Sequence, residues 1–369
     1  MVIGGGQAGL AVGFYLRRTR LRFVILDEQP APGGAWRRAW PSLRLFSPAQ
    51  WSSLPGWMMP RVAGSADDAY PTRDSTIAYL AEYERRYALP VERPVRVAAV
   101  RTDDDGLALE TTTGPVRARA VVSATGTWAS PVRVAIPGRE QFRGRVLHSA
   151  DYPGPAPFVG QRIVVVGGGN SGAQIVAELA EVAEVTWATR EPPTFLPAYV
   201  DGRYLFEQAT ARYRALQEGR TPDPPRSLGD IVLVPPVRAA LAKGTLAAVP
   251  MFSRFTAGGV AWDDGREALA DAVVLATGFR PALTHLAPLG LVDARGRVAT
   301  AAPAGTRVTA PLPLWLVGYG DWTGFASATL IGVGRSARAT VAEIATLLQP
   351  EDQAAPTDEG AAESRPRDA

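Results

Sequence analysis

The chain of 369 residues contains no cysteine and only two histidines. The missing cysteine excludes disulfide bonds, catalytic thiolates, iron–sulfur clusters and every dithiol redox mechanism, and with them the activity of a pyridine-nucleotide disulfide reductase. Proteins hold catalytic zinc mostly through histidine and cysteine side chains, so His148 and His285 alone argue against a zinc site. We therefore expect no metal centre in this protein.

Lysine is nearly absent as well, and long apolar runs are missing. Lys243 is the only lysine among 39 basic residues, the formal net charge is only +3, and the arginines are scattered. This distribution argues against a nucleic-acid partner. No run approaches the roughly 18 apolar residues of a membrane span. The apolar start at Met1–Leu16 lacks the basic leader of a signal peptide. We therefore expect no membrane partner and a cytoplasmic protein.

The chain does contain enough apolar residues for two cores, since hydrophobic residues make up 46% of a length that suits two domains. Near the start, Met1–Ile3 predicts an unusually short strand and Gly4–Gly9 a glycine turn. The apolar residues up to Arg18 predict a helix, and Phe23–Leu26 predicts a second strand. These segments form one βαβ unit with Asp27 at the end of its second strand.

A second unit with the same order of elements lies in the middle of the chain. Ile163–Val166 predicts a strand and Gly167–Gly172 a glycine turn. The following residues predict a helix to about Ala180, and Val185–Ala188 predicts the returning strand. The similarity of the two units indicates an internal repeat.

Each glycine turn matches the pattern GxGxxG, which is weak evidence when it stands alone. With 37 glycines among 369 residues, chance predicts roughly 0.4 matches in the chain. Two matches that each follow an apolar strand and open a helix are more specific, because the glycines allow a tight turn and the helix N-terminus attracts a pyrophosphate. The candidate nucleotide-binding residues are Gly4, Gly6, Gln7, Ala8, Gly9 and Asp27 in the first unit and Gly167, Gly169, Asn170, Ser171 and Gly172 in the second.

The residues after the second unit bear on which nicotinamide nucleotide it binds. Thr189 and Arg190 follow its last strand, and an arginine can pair with a 2′-phosphate through charged hydrogen bonds. The neighbouring Glu191 is the residue type that a free 2′-hydroxyl favours. The sequence therefore predicts NADPH, with NADH as the alternative.

Other segments have less regular patterns. Asp74–Ala88 predicts a helix with Asp74 or Ser75 as its N-cap.

Between Gly33 and Pro60 the chain has no clear period, and its tryptophans are candidates for a pocket wall, with plain packing as the alternative. These tryptophans are Trp36, Trp40, Trp51 and Trp57. Antiparallel strands are predicted at Val95–Val100, Leu107–Thr111 and Val116–Val122.

The stretch from Phe142 to Tyr152 carries the pattern FxGxxxHxxxY just before the second glycine turn. It resembles the fingerprint of the flavin-containing monooxygenases. Baeyer–Villiger monooxygenases are similar but usually carry tryptophan at the position of Tyr152. The resemblance extends from Gly4 to about Arg338. It includes Gly33–Trp36, both Ala-Thr-Gly segments and Gly320-Asp321.

The sequence around Ser42–Pro48 resembles the small bacterial branch of that family, which includes flavoprotein monooxygenases from arsenic-resistance operons. The resemblance implies that FAD occupies the first glycine turn, with Gly34 and Trp36 lining its site and Asp321 binding the ribityl chain or the pyrophosphate. It also implies a helix over Gly324–Ala337 directed at the flavin ring.

Two further positions acquire roles from the resemblance. His148 is expected to hold the linker between the domains rather than to transfer protons. Many family members place an asparagine near the flavin, where its amide can hydrogen-bond to the peroxyflavin, and Phe46 aligns with it. Because a phenyl ring cannot donate a hydrogen bond, oxygenation is expected to be slower, poorly coupled or supported differently.

Together these observations predict an α/β protein with two Rossmann-like dinucleotide-binding domains, the NAD(P)H domain being inserted into the FAD domain. The expected FAD-binding domain comprises residues 1–150 and 276–349, and the expected NAD(P)H-binding domain comprises residues 151–275. Residues 350–369 are polar and predict a disordered tail.

The expected function is that of an FAD-dependent, NADPH-consuming monooxygenase. Through a C4a-peroxyflavin it would oxygenate a soft nucleophile (a sulfide, amine or arsenical) or a ketone, so its partners are a small-molecule substrate and molecular oxygen. No protein side chain is assigned a catalytic role. One alternative is an NAD(P)H-dependent flavin reductase or oxidase that passes electrons to a quinone, a carrier protein or oxygen. Another is a flavin-binding sensor. The oligomeric state stays open, with a homodimer among the assemblies considered.

Overall fold

A computed structural model describes residues 1–61, 70–197, 200, 204, 207, 211, 215, 218–220, 230–301, 305–324 and 326–348. The predicted tail at 350–369 lies outside the described residues. The α-helices are α1 (Gln7–Leu16), α2 (Arg73–Arg86), α3 (Asn170–Leu179), α4 (Pro235–Ala242) and α5 (Val333–Leu348). The strands are β1 (Val2–Ile3), β2 (Ile25–Leu26), β3 (Val91–Glu92), β4 (Val97–Asp103), β5 (Gly106–Thr111), β6 (Gly114–Ala118), β7 (Val121–Ser123), β8 (Arg145–His148), β9 (Arg162–Val166), β10 (Glu184–Thr189), β11 (Ala248–Pro250), β12 (Arg254–Thr256), β13 (Gly259–Ala261), β14 (Glu267–Leu269), β15 (Ala272–Leu275) and β16 (Leu314–Leu316).

The first sheet is parallel and has the order β16-β7-β1-β2-β3. Successive side chains of a strand point to opposite faces, so Val2 enters the core that α1, α2 and α5 cover, while Ile3 enters the core on the other face. The antiparallel sheet β4-β5-β6 covers that second face with Val100 and Leu109. Burial on both faces explains why these short strands are almost wholly apolar.

The second sheet is also parallel, with the order β11-β10-β9-β15-β8. Ile163 and Val165 of β9 pack towards α3 and α4, and Val164 and Val166 pack towards the antiparallel sheet β12-β13-β14. The β-branched residues of β9 therefore build two cores at once, as the first sheet does.

The second sheet is inserted into the first. All of its strands, from β8 to β15, lie between β7 and β16 of the first sheet. The predicted fold class, two Rossmann-like domains with one inserted into the other, is confirmed. β8 begins at Arg145, so the second sheet includes a strand that precedes residue 151.

Three predicted elements differ from the structure. The N-cap of α2 is Thr72, whose hydroxyl accepts a hydrogen bond from the Ser75 amide at 3.1 Å, and neither Asp74 nor Ser75 has this role. The run predicted at Val116–Val122 splits, because β6 ends at Ala118 and β7 joins the parallel sheet. The helix predicted over Gly324–Ala337 begins only at Val333; within the predicted range, Ala326 has a φ of +59°, which is incompatible with a helix at that residue.

The two connections between the sheets run side by side. The Val132 amide donates to the Gly278 carbonyl at 2.9 Å, and the Arg280 amide donates to the Ser130 carbonyl at 2.9 Å. These hydrogen bonds tie the outgoing and returning chains together where one domain meets the other. Within the described residues, no helix combines the length and the hydropathy needed to cross a membrane.

Candidate functional site

The first glycine turn lies at the carboxyl end of β1. Gly4 has a φ of +105°, and a Cβ at this position would come within 2.5 Å of the Ala124 carbonyl oxygen. A Cβ at Gly9 would overlap the Gly4 carbonyl, so the turn closes only with glycine at both positions. α1 begins after Gly6 without a side-chain cap, which leaves its first amides directed outward, as anion binding requires.

Asp27 and Gly34 lie against this turn. Asp27 is only 4% exposed, and a Cβ at Gly5 would lie 2.6 Å from its Oδ2 atom. Gly34 has a φ of +53°, and a Cβ there would lie 2.7 Å from the Gly6 Cα atom. The structure therefore brings the predicted ribose-binding carboxylate and the Gly34 backbone into contact with the turn.

Gln7 connects the turn to two other predicted site residues. Its Oε1 atom accepts a hydrogen bond from the Trp36 indole at 3.3 Å, and its Nε2 atom donates to the Ala328 carbonyl at 2.6 Å. The chain before Asp321 also reaches α1, because a Cβ at Gly318 would lie 2.6 Å from the Ala8 Cβ atom. Asp321 itself is exposed at the start of a short 3₁₀ turn.

These residues fit the adenosine diphosphate part of FAD. The site offers a narrow turn without side chains, free amides at a helix N-terminus and a carboxylate beside them. This combination binds a pyrophosphate and an adjoining ribose. The fit rests on the cradle that the glycines leave open, which a side chain at Gly4, Gly9 or Gly34 would fill.

The second glycine turn repeats this construction at the end of β9. Gly167 has a φ of +127°, and a Cβ at Gly172 would overlap the Gly167 carbonyl. Gly169 is different, since a Cβ there would meet no atom within 4 Å. α3 also starts without a side-chain cap. Trp187, which sequence reasoning missed, fixes the turn by donating its indole N–H to the Gly167 carbonyl at 2.8 Å.

The side chain of Asn170 forms hydrogen bonds within the protein. Its Nδ2 atom donates to the Asp230 carbonyl at 2.9 Å, and its Oδ1 atom accepts from the Val232 amide at 2.9 Å. Asn170 therefore anchors the chain that leads into α4, and only its backbone is left for a ligand. The half-buried Ser171 follows in the first turn of α3.

The end of β10 lies beside the second turn. A Cβ at Gly168 would lie 3.5 Å from the Thr189 side chain and 3.8 Å from the Glu191 carbonyl. Thr189 is buried, whereas Arg190 and Glu191 are both exposed. The predicted residues for the 2′-position of a nicotinamide nucleotide therefore lie at the edge of this turn, with a cation and an anion both accessible.

His148 is fully buried at the end of β8. Its Nδ1 atom accepts from the Ala150 amide at 3.0 Å, so the ring proton lies on Nε2, which donates to the Gly278 carbonyl at 3.1 Å. Burial lowers the pKa of His148 and favours this neutral form. Both nitrogens are engaged with the interdomain connections, and neither is left for proton transfer.

The segment around Phe46 packs against the second domain. Phe46 is half-buried on the core cluster that contains Trp40, Tyr152 and Phe158. Nearby, the Ser42 hydroxyl donates to Glu178 of α3, and burial raises the pKa of the Glu178 carboxyl. This segment of the first domain therefore forms part of the contact between the domains.

The four tryptophans do not form a single wall. Trp40 is 3% exposed inside the second core, and Trp57 stacks on Tyr79 of α2 with ring centroids 5.0 Å apart. Trp36 and Trp51 are half-buried. Plain packing thus accounts for Trp40 and Trp57, while Trp36 faces the first glycine turn through Gln7.

Two polar clusters in the first domain were not predicted. The Arg93 guanidinium lies between Asp27 and Glu84, with Nε 2.7 Å from Asp27 and Nη1 2.6 Å from Glu84. In the second cluster, the Ser123 hydroxyl lies 3.0 Å from the His285 Nε2 atom. Their members are distant in the sequence, so no local pattern could have identified them.

Known proteins resemble this chain over most of its length. The family model described as pyridine nucleotide-disulphide oxidoreductase matches residues 1–198. A flavin-containing monooxygenase from Stenotrophomonas maltophilia has a solved structure that is 50% identical, with a TM-score of 0.84, covering 94% of this chain and 97% of that one. A double mutant of the flavin monooxygenase from the same organism is 51% identical, with a TM-score of 0.85 and the same coverage.

A curated relative, an uncharacterized CzcO-like oxidoreductase from Geobacillus kaustophilus, is 34% identical over 208 residues. That match covers 56% of this chain and 58% of the relative's own length.

Proposed function

Because this chain belongs to the pyridine nucleotide-disulphide oxidoreductase family and to the flavin-containing monooxygenases, we propose that it is an FAD-dependent, NADPH-consuming monooxygenase. The observation that carries the proposal is the pair of glycine turns, each at the start of an uncapped helix beside its own parallel sheet. The disulfide chemistry in the family's description requires cysteine, which this chain lacks.

We assign the first sheet and its covering layers to FAD and the inserted sheet to the nicotinamide nucleotide. The FAD domain takes residues 1–144 and 276–349, and the nicotinamide domain takes residues 145–275. The boundary moves from residue 151 to Arg145 because β8 pairs with β15 in the second sheet.

In the FAD domain, the amides of Gln7, Ala8 and Gly9 would face the pyrophosphate, and Asp27 would accept hydrogen bonds from the ribose. Gly34 and Trp36 would line the site, and Asp321 would bind the ribityl chain or the pyrophosphate. When bound, FAD supplies hydride acceptance and oxygen activation, while the protein orients the reactants and excludes water.

In the nicotinamide domain, the turn from Gly167 to Gly172 would hold the pyrophosphate through the first amides of α3, including those of Asn170 and Ser171. Thr189 and Arg190 would bind the 2′-phosphate of NADPH, because an exposed guanidinium offers paired, charged hydrogen bonds. Glu191 beside it supports some use of NADH.

The substrate class is a soft nucleophile such as a sulfide, an amine or an arsenical, or else a ketone. The proposed chemistry needs no protein nucleophile, which agrees with the lack of cysteine. His148 is engaged with the backbone, and the buried His285 lies beside Ser123. The protein's own contribution is therefore binding and orientation.

The proposal is tested by anaerobic reduction followed by oxygen labelling. Purified protein with FAD is mixed with NADPH or with NADH, and bleaching of the flavin absorbance is followed. Isotope-labelled oxygen is then admitted together with a dialkyl sulfide. We expect faster bleaching by NADPH and label in the sulfoxide. If the protein binds FAD but neither nucleotide bleaches the flavin, both the proposed monooxygenase activity and a flavin reductase activity are contradicted.

One observation favours a second candidate, an NAD(P)H-dependent flavin reductase or oxidase. Phe46 stands where the family resemblance implies an asparagine near the flavin, and a phenyl ring cannot donate a hydrogen bond. In the labelling experiment this candidate predicts rapid bleaching and hydrogen peroxide, with no label in the sulfoxide.

A further inference from the structure

We propose that Arg93, held by Glu84, is a positioning residue that orients the Asp27 carboxylate towards the adenosine ribose of FAD. The inference rests on the proposed function, because it assumes that FAD occupies the first glycine turn. It adds two residues, both far from the glycine motif in the sequence, to the site that binds the nucleotide.

The three side chains come from different elements. Asp27 follows β2, Arg93 follows β3, and Glu84 lies on α2. Arg93 uses Nη1 and Nη2 for the two oxygens of Glu84, at 2.6 and 2.7 Å, and Nε for Asp27 Oδ2, at 2.7 Å. The paired bonds fix the plane of the guanidinium, and the plane determines where Nε can hold Asp27.

The cluster is buried, so its geometry matters more than that of a surface ion pair. The exposed fractions of the side chains are 10% for Arg93, 5% for Asp27 and 16% for Glu84. In such a site an unpaired carboxylate is strongly disfavoured, and Arg93 places one positive charge between the carboxylates of Asp27 and Glu84.

The contacts that Asp27 makes leave room for a ligand. A carboxylate can accept about four hydrogen bonds. Within the described residues, the Asp27 carboxylate accepts hydrogen bonds from Arg93 on Oδ2 and from the Gln29 amide on Oδ1, the latter at 3.3 Å. Because a Cβ at Gly5 would lie 2.6 Å from Oδ2, the carboxylate lies directly against the glycine turn. The oxygen that faces the turn, Oδ2, is thus the same oxygen that Arg93 holds in place.

The test measures FAD affinity rather than turnover. Apoprotein is titrated with FAD and, separately, with FMN, which lacks the adenosine ribose. We expect Arg93→Met to weaken FAD binding about 10- to 100-fold, the loss typical of a hydrogen bond to a charged group. FMN binding should not change. Arg93→Lys and Glu84→Gln should lose less FAD affinity, because each keeps part of the Glu84–Arg93–Asp27 cluster. These two variants replace Arg93→Met in the test if Arg93→Met folds poorly.

A double-mutant cycle tests whether Arg93 affects FAD binding by positioning Asp27 or by stabilising the surrounding structure. If Arg93 acts through Asp27, the variant Asp27→Asn with Arg93→Met should bind FAD no more weakly than Asp27→Asn alone. The matched control is Arg101→Met, which breaks an exposed ion pair with Glu110 and should bind FAD as the wild type does.

Three results would overturn the inference alone: unchanged FAD affinity in Arg93→Met, equal losses for FAD and FMN, or additive losses in the cycle. A wild-type apoprotein that binds no FAD would instead overturn the proposed function, and the inference with it.

Discussion

His285 is the most strongly perturbed histidine in the molecule. The residue is 4% exposed, and its Nε2 atom lies 3.0 Å from the Ser123 hydroxyl, which also lies 2.6 Å from the Tyr319 hydroxyl. Burial lowers the pKa of His285 to about 4 from the model-compound value of 6.5. The network braces the chain just before Gly320-Asp321, so a neutral His285 supports the loop that carries Asp321.

This pKa predicts a loss of stability in mild acid. The unfolded chain binds a proton at His285 below pH 6.5, whereas the folded protein does so only near pH 4. The stabilisation of the folded protein by neutral His285 is therefore fully present above pH 6.5. As the pH falls from 6.5 to 4, the free energy of unfolding decreases by up to about 1.4 kcal/mol per pH unit. Because the buried His148 also titrates with a lowered pKa, the comparison is with His285→Gln: between pH 7 and pH 5, urea unfolding should show a drop in the wild type that is about 2 kcal/mol larger than in His285→Gln. An equal drop in both proteins would show that His285 does not titrate in this way.

At the scale of an element, each glycine turn is a unit of strand, turn and helix start. The turn after β9 closes because the Gly167 carbonyl occupies the space that a Cβ of Gly172 would need, and Trp187 holds the same carbonyl. Gly169 borders open space on the outer side. The two glycines therefore have separate roles, one in closing the turn and one in admitting a ligand.

We predict that Gly172→Ala and Gly169→Ala differ in stability. Gly172→Ala should lower the free energy of unfolding by about 1 to 3 kcal/mol and abolish NADPH binding, because the added methyl displaces the turn backbone. Gly169→Ala should fold as the wild type does but bind NADPH more weakly, since Gly169 has an extended backbone that alanine can adopt. Thermal unfolding and nucleotide titration measure both. Equal stability of the two variants would contradict the assignment.

At the scale of the whole molecule, the two domains meet along their paired connecting segments and along the segment that carries Phe46. The chain passes between them twice, the passages are hydrogen-bonded to each other, and His148 joins them at Gly278. In the Ser42–Pro48 segment, the Ser42 hydroxyl donates a hydrogen bond to Glu178, and Phe46 packs on the second core. By the family resemblance position 46 also lies near the flavin, so its side chain would influence both the domain contact and the reacting ring.

We predict that Phe46→Asn improves coupling between NADPH consumption and oxygenation. The amide would supply the hydrogen-bond donor that phenylalanine lacks, so a larger share of electrons should appear in product and less in hydrogen peroxide. The measurement is the ratio of sulfoxide to peroxide per NADPH, with Phe46→Leu as an apolar control. If Phe46→Asn and Phe46→Leu give the same ratio as the wild type, position 46 does not face the flavin.

Local patterns were sufficient for the two βαβ units. The strands, turns and helices around Gly4–Gly9 and Gly167–Gly172 lie within one or two residues of their predicted positions. The helix predicted from Gly324 starts only at Val333, and the positive φ of Ala326 within this range could not be predicted from an alanine. Thr72 was missed as an N-cap because Asp74 and Ser75 are equally good caps by residue type.

The sequence by itself determined the fold class, the two nucleotide turns and the lack of thiol chemistry, because each depends on residue types at short spacing. Only the tertiary structure decided that Asn170 is bonded to the chain before α4, that Phe46 packs on the second core and that Arg93 holds Asp27. Those contacts join residues from separate strands and helices. Their partners are chosen by how the elements pack, which local spacing does not encode.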